Sequence, residues 1–168
     1  GGVAWADTLA GVVIVVIDGD TVLFKPDHYH PSSRAFLKVR LVDIDAPEKD
    51  QPHGVAATQA LRELALKKRA SLEIVATDFY GRKLGRLTID ALQVSAELVR
   101  RGHAWAYDSI PRRGTPPRSG SESLRASSRN PDEAMRMLQR EAGRARIGLW
   151  QDADPVPPWL WRRRHAAD

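Results

Sequence analysis

An α+β fold built on a small five-stranded Greek-key β-barrel with three α-helices is what this sequence predicts. Three observations predict it. Short β-branched or alternating runs recur between residues 11 and 89, each closed by turn chemistry. A stretch with helical spacing interrupts them after the third run, and two more helical stretches follow the last. Small barrels of the oligonucleotide-binding (OB) kind have this order of elements, although periodicity alone does not separate them from other α+β folds.

The first two strands fall between Gly11 and Lys25. Val12 to Ile17 is β-branched throughout, Asp18-Gly19-Asp20 is a turn, and Thr21 to Phe24 resumes the strand. A polar loop, residues 26–33, leads to a third strand over Phe36–Ile44, stopped by Asp45-Ala46-Pro47 because proline cannot donate to a ladder. The spacing of Ala57, Leu61, Leu64, Ala65 and Lys68 predicts a helix from Pro52 or His53 to Lys68, with the lysine snorkelling at its end. Strands follow over Ser71–Thr77 and Lys83–Ile89, then a short helix over Gln93–Arg101 closed by Gly102. Residues 110–129 lack periodicity and read as a long flexible loop. Asn130 is expected to cap a third helix that starts at Pro131, buries Met135, Leu138, Ala142 and Ala145, and ends at Gly148. The tail, residues 152–168, sets two tryptophans among prolines, which predicts packing on the body. All of this makes one domain, residues 1–168.

Composition narrows the function classes. The 168 residues contain no cysteine, which excludes thiol nucleophiles, disulfides, iron–sulfur clusters and Cys-bearing zinc sites. The longest apolar run, Val12–Ile17, is far too short to span a bilayer, so no membrane partner is expected. Twenty-six Lys and Arg against 21 Asp and Glu leave a net charge of +5, which fits a polyanionic partner as well as a merely soluble surface.

The chemistry-bearing candidates are the carboxylates Asp18, Asp20, Asp43, Asp45 and Glu48 and the arginines Arg40 and Arg82. Each carboxylate alone reads as turn or loop chemistry, and each arginine as a surface ion pair. Sheet geometry can bring the two acidic clusters together, and oxygen donors crowded in that way favour Ca²⁺ or Mg²⁺. Neither cluster has EF-hand spacing, so such a site has to be assembled from separate segments. Two guanidiniums beside it would match phosphate oxygens with their planar forks. One tension stands out. Arg40 and Asp45 are five apart, so an unbroken strand would point them to opposite faces; the chain must bend near Asp43. His28 and His30 read as solvated loop histidines rather than a metal pair.

In order and spacing, six segments resemble the staphylococcal nuclease (thermonuclease-like) family. They are Asp18-Gly19-Asp20-Thr21, Val39 to Glu48, Asp78 to Arg82, Leu98 to Trp105, Ala142 to Trp150 and Pro157 to Arg163. The resemblance implies a Ca²⁺-dependent nuclease on an OB-fold barrel, cutting DNA and RNA at the 5′ P–O bond to leave 3′-phosphate ends. It further implies Asp20, Asp45 and the Ala46 main-chain carbonyl as metal ligands, with Glu48 as general base or water-positioner. Arg40 and Arg82 become the phosphate-binding arginines, and Tyr80 and Tyr107 line the nucleotide pocket. At Ala46 the best-known member has threonine, and the ligand there is a carbonyl in either case. The 110–129 loop is longer than in that member and is basic, and its Arg112, Arg113, Arg118, Arg125 and Arg129 read as a solvated charge run rather than a polyanion contact.

The rival reading is a non-catalytic OB-fold nucleic-acid-binding module that keeps the barrel and loses the chemistry; the presence of Asp20, Arg40, Asp45, Glu48 and Arg82 argues against it. The expected partners are single-stranded or locally opened DNA and RNA, bound by a monomer through phosphate and stacked bases rather than base edges. Ala4-Trp5-Ala6 has the small-x-small spacing of a signal-peptidase site, giving the expectation of a secreted or periplasmic protein.

Overall fold

A computed structural model describes residues 7–110 and 131–166. The first strand, β1 (Asp7–Val16), pairs antiparallel with β2 (Thr21–Pro26), and the Asp18-Gly19-Asp20 turn joins them as expected. That turn is closed by Ile17 N–H donating to the Thr21 carbonyl at 2.9 Å and Asp20 N–H to Asp18 Oδ1 at 3.0 Å. Strand β3 (Leu37–Leu41) runs antiparallel to β2, and β5 (Arg69–Thr77) runs antiparallel to β1 and to β6 (Lys83–Ile89). The sheet closes because β3 also pairs, in parallel, with β6. Five strands thus form a barrel without a free edge in its wall. The two-residue strand β4 (Ile44–Asp45) leaves the barrel to pair with β8 (Trp105–Ala106), while β7 (Leu92–Gln93) extends β6.

Alternation decides what fills the barrel. Val13, Val22, Phe24, Val39, Leu41, Leu72 and Leu87 are fully buried, each contributing roughly 1.5–3 kcal/mol by leaving water. Helix α1 (Gly54–Ala65) closes one end with Ala57, Leu61 and Ala65. It stops three residues short of Lys68, which is exposed beyond it, because Lys67 takes a left-handed φ of 63° and the chain turns into β5. Helix α2 (Val94–Arg100) ends at Gly102, φ 76°, as its sequence predicts.

Helix α3 (Glu133–Ala145) packs on α2. Its cap is Asp132, whose carboxylate accepts the Ala134 N–H at 3.1 Å; Asn130 lies outside the described residues. The helix buries Met135 and Ala142 and half-buries Leu138, but Ala145 is exposed. It ends at Arg146 (φ 52°), not at Gly148, which instead opens a 3₁₀ turn over Gly148–Gln151. There the two backbones nearly touch. Gly148 has φ 58°, and a Cβ on it would lie 2.2 Å from the Gly102 carbonyl oxygen. The tail adds a fourth helix to the expected three, α4 (Pro158–His165), with Pro158 in its first turn. The 111–129 part of the basic loop, with its five arginines, and the Ala4–Ala6 segment lie outside the described residues.

Candidate active site

The site begins where β3 breaks. Its last residue, Leu41, donates its N–H to the Asp20 carbonyl at 2.8 Å, which ties the strand end to the Asp18–Asp20 turn. Two residues later Asp43 adopts a left-handed φ of 72°. Arg86 from β6 holds its side chain at 2.8 Å, and its carbonyl accepts the Tyr107 N–H at 2.9 Å. This reversal turns the chain before β4, so that Arg40 and Asp45 share one face and approach to 3.5 Å. The bend expected near Asp43 is therefore present. Asp43 itself belongs to the bend and to Arg86, not to the acidic centre.

That centre is buried. Asp45 is 1% exposed, and Asp20 nearly as inaccessible. A single nitrogen, Arg40 Nη2, lies 3.4 Å from Asp20 Oδ2 and 3.5 Å from Asp45 Oδ1. Arg40 Nη1 donates to the Leu41 carbonyl and, at 3.0 Å, to that of Ile44, so the guanidinium is braced by the bend it faces. Asp20 is fixed further: Oδ2 accepts the Ala46 N–H at 2.9 Å and Oδ1 the Thr21 hydroxyl at 3.1 Å. Carboxylates packed this closely disfavour one another's charge. Burial, reinforced by the Asp20 carboxylate, pushes Asp18 up to about 6. Burial also raises the Asp45 carboxyl above the usual range, against the pull of Arg162 and Arg40.

Glu48 stands at the rim. Its N–H donates to Gln51 Oε1 at 2.8 Å, and Gln51 Nε2 donates to the Val156 carbonyl at 2.9 Å, so one glutamine links the acidic loop to the tail. From α4, Arg162 reaches both carboxylates. Its Nη2 lies 2.7 Å from Asp45 Oδ2, and its Nη1 lies 3.2 Å from Asp45 Oδ1 and 2.7 Å from Glu48 Oε1. Burial opposes the charge on Arg162, but the two carboxylates outweigh it and hold the guanidinium more firmly protonated than usual. Three residues earlier, Trp159 stacks on Tyr107 (centroids 5.4 Å apart, rings within 25° of parallel) and meets Trp105 edge-on.

Arg82 is held differently. The parallel register sets Lys83 beside Val39 and Leu84 beside Arg40, so Arg82 enters the sheet next to the strand that carries Arg40. Asp78 accepts the Arg82 N–H and, at 2.6 Å, its Nε. Burial works against ionisation of Asp78, but the Arg82 hydrogen bonds outweigh it and keep its carboxyl below the ordinary range. The two terminal nitrogens of Arg82 have no partner among the described residues. At the hairpin tip Phe79 and Tyr80 are 85% and 82% exposed, their rings edge to face.

The staphylococcal nuclease homologue family profile matches residues 38–152, more than half of the chain. The chain belongs to this family. It is similar to an uncharacterized endonuclease of Escherichia coli O157:H7, 37% identical over 92% of this chain and 85% of that protein. A micrococcal nuclease of Shigella flexneri is 32% identical over 95% of this chain and 83% of its own length. A probable staphylococcal-like nuclease of rice is 31% identical, but this chain covers 32% of it. The chain is thus a nuclease, a hydrolase of phosphodiester bonds. The matched segment contains Arg40, Asp45, Ala46, Glu48, Tyr80, Arg82 and Tyr107. Asp20 and Arg162 lie outside it.

In this nuclease the structure gathers Asp20, Arg40, Asp45 and Glu48, with Asp18 behind Asp20. Arg82 and Tyr80 stand apart on the β5–β6 hairpin, and Tyr107 lies under the tail. Among the described residues no group of three or more His, Cys, Asp or Glu side chains stands at metal-holding distances. His28 and His30 are exposed, with His30 bonded to Ser32, in keeping with solvated loop residues. His53 instead meets His103 at 2.9 Å, rings stacked, and desolvation lowers the pKa of both. Gln51 and the carboxylate partners of Arg162 escape sequence reasoning. Pro157-Pro158-Trp159 forecasts a packed tail, but nothing local says which carboxylates, 114 and 117 residues earlier, its arginine meets.

Proposed function

We propose that this nuclease is calcium-dependent and hydrolyses DNA and RNA at the 5′ P–O bond, leaving 3′-phosphate ends. The observation that carries the reading is the convergence of buried Asp20 and Asp45 on one arginine nitrogen, with Glu48 at the open rim. The donor set fits a hard cation. Its side-chain donors are carboxylate oxygens, with no nitrogen or sulfur ligand among them, and they already attract two guanidiniums. Asp20, Asp45 and the Ala46 carbonyl would hold Ca²⁺, with water completing its shell. When bound, the ion would act as a Lewis acid toward a phosphate oxygen.

The side chains divide the remaining work. Glu48, reachable from solvent at the rim, takes a proton from the attacking water as the water oxygen bonds to phosphorus. The P–O5′ bond breaks, and the leaving 5′ oxygen takes a proton from solvent water to become a hydroxyl, while the proton on Glu48 returns to solvent. Arg82 turns its unpaired terminal nitrogens toward a non-bridging phosphate oxygen, while Arg40 places fixed positive charge beneath it. Tyr80, exposed beside Arg82, offers a face for base stacking, which favours single-stranded or locally opened substrate. Tyr107, half-buried with Trp159 stacked on its ring, is the second tyrosine of the nucleotide pocket in this reading, and one chain carries the full set, as a monomer would.

The test is release of acid-soluble nucleotides from DNA and RNA with Ca²⁺, with Mg²⁺ and with EGTA, followed by end-group analysis. Activity with Ca²⁺ alone and 3′-phosphate ends are expected. Mg²⁺ holds its waters in stricter geometry and should support little turnover. Full activity in EGTA with Mg²⁺ overturns the metal assignment, and 5′-phosphate ends overturn the bond assignment.

A further inference from the structure

The arginine that reaches the acidic centre from the far end of the chain has no role in the chemistry above. Arg162 takes both oxygens of Asp45 and one of Glu48 with two nitrogens of one planar fork. Asp45 is 1% exposed, so its carboxylate has few free directions, and Arg40 approaches Oδ1 as well. A cation liganded by Asp45 must take an oxygen that Arg162 now holds. The two cannot occupy the same lone pairs.

Arg162 is also built to let go. Its side chain is 45% exposed and is joined to its helix by a flexible stem. The helix does not depend on the ion pair for its place, because Trp159 is packed between Trp105 and Tyr107 and the Val156 carbonyl is held by Gln51. The guanidinium can therefore swing off Asp45 while α4 stays where it is. The next two residues, Arg163 and Arg164, carry the same charge on the same helix but are exposed and make no ion pair among the described residues. The contact is specific to one arginine.

We propose that Arg162 is a tethered cation that competes with the divalent ion for Asp45, so that this residue of the C-terminal helix sets the metal affinity of the site. The inference rests on the calcium reading above. It gives the chain a built-in occupant for a buried carboxylate that would otherwise share Arg40 alone with Asp20, and it makes metal binding an exchange of one cation for another. Because coupling is reciprocal, whatever Arg162 gains at Asp45 is subtracted from the ion. If the arginine holds the carboxylate in nine molecules of ten or more, the apparent dissociation constant is raised by roughly tenfold or more.

Calcium titration calorimetry on the full chain, without nucleic acid, tests this. Arg162→Gln should bind Ca²⁺ roughly tenfold more tightly than wild type. Arg163→Gln, which removes the same unit of charge one residue away, should bind as wild type does. Arg162→Lys, which keeps the charge but loses the fork, should fall between, and it carries the test if Arg162→Gln does not fold. Wild-type affinity or weaker in Arg162→Gln, or equal tightening in Arg163→Gln, overturns the competition while leaving the calcium site standing. Absence of Ca²⁺ binding in wild type, or undiminished binding in Asp45→Asn, overturns the metal reading and this inference with it.

Discussion

Replacing Glu48 with glutamine separates catalysis from stability more cleanly than any other change at this site. The substitution keeps the size of the side chain and an amide oxygen that can still accept from Arg162 Nη1, now 2.7 Å away. It removes only the charge and the basicity. The Glu48 and Arg162 side chains are 35% and 45% exposed, so their pairing is screened and contributes under about 1 kcal/mol to folding. For a chain of this size that corresponds to a fall in Tm of roughly 2–4 °C or less. The backbone bond from Glu48 N–H to Gln51 is untouched, so the loop should hold its shape. Turnover should behave otherwise. A general base contributes about 10²–10⁴ in rate, so kcat should fall by that factor with little change in KM. Hyperchromicity on single-stranded DNA gives the kinetics, and tryptophan fluorescence melts give the stability. A kcat within a few-fold of wild type would refute the role of Glu48. A large loss of Tm would show instead that Glu48 is a structural anchor and that the screening argument is wrong.

Three other outcomes follow from the same structure. Arg82→Ala should lower kcat by roughly 10³–10⁵ with little change in Tm, whereas Arg40→Ala should lose both activity and about 3 kcal/mol of stability, since it leaves Asp20 and Asp45 short of a buried partner; similar melting losses for the two would contradict the difference in bracing. Gly148→Ala should destabilise the fold by more than about 2 kcal/mol in urea titrations, because its Cβ would lie 2.2 Å from the Gly102 carbonyl at a φ of 58°, and a neutral result would show that the two backbones can part. His53 and His103 both have pKa values lowered by burial, so the folded state prefers them neutral: their contribution is complete above about pH 6.5 and is lost as pH falls below that toward their folded values. Unfolding free energies at pH 7.5 and 5.0 should therefore differ more in wild type than in His53→Gln, and an unchanged slope would remove the pair from the acid response.

Much of the fold lies in local chemistry. The β-branched run before Asp18, the strand at Lys83–Ile89 and the stripe of Ala57, Leu61 and Ala65 each satisfy one periodicity within a few residues, and the elements form there. The helix ends were less legible, because Lys67 and Arg146 terminate their helices by taking left-handed φ values that their side chains do not announce. The acidic and arginine motifs made the family readable and raised the question of how Arg40 and Asp45 could share a face. Tertiary structure alone answered it. The left-handed turn at Asp43 is tolerable because Arg86, on a strand 43 residues away, holds the carboxylate beyond it. The same is true of Arg162, whose fork closes on carboxylates more than a hundred residues distant only once the tail has packed on Trp105 and Tyr107. Periodicity and turn chemistry act between near neighbours, so a sequence displays them directly. Which buried charge meets which distant partner depends on closure of the whole barrel, and that exists only in three dimensions.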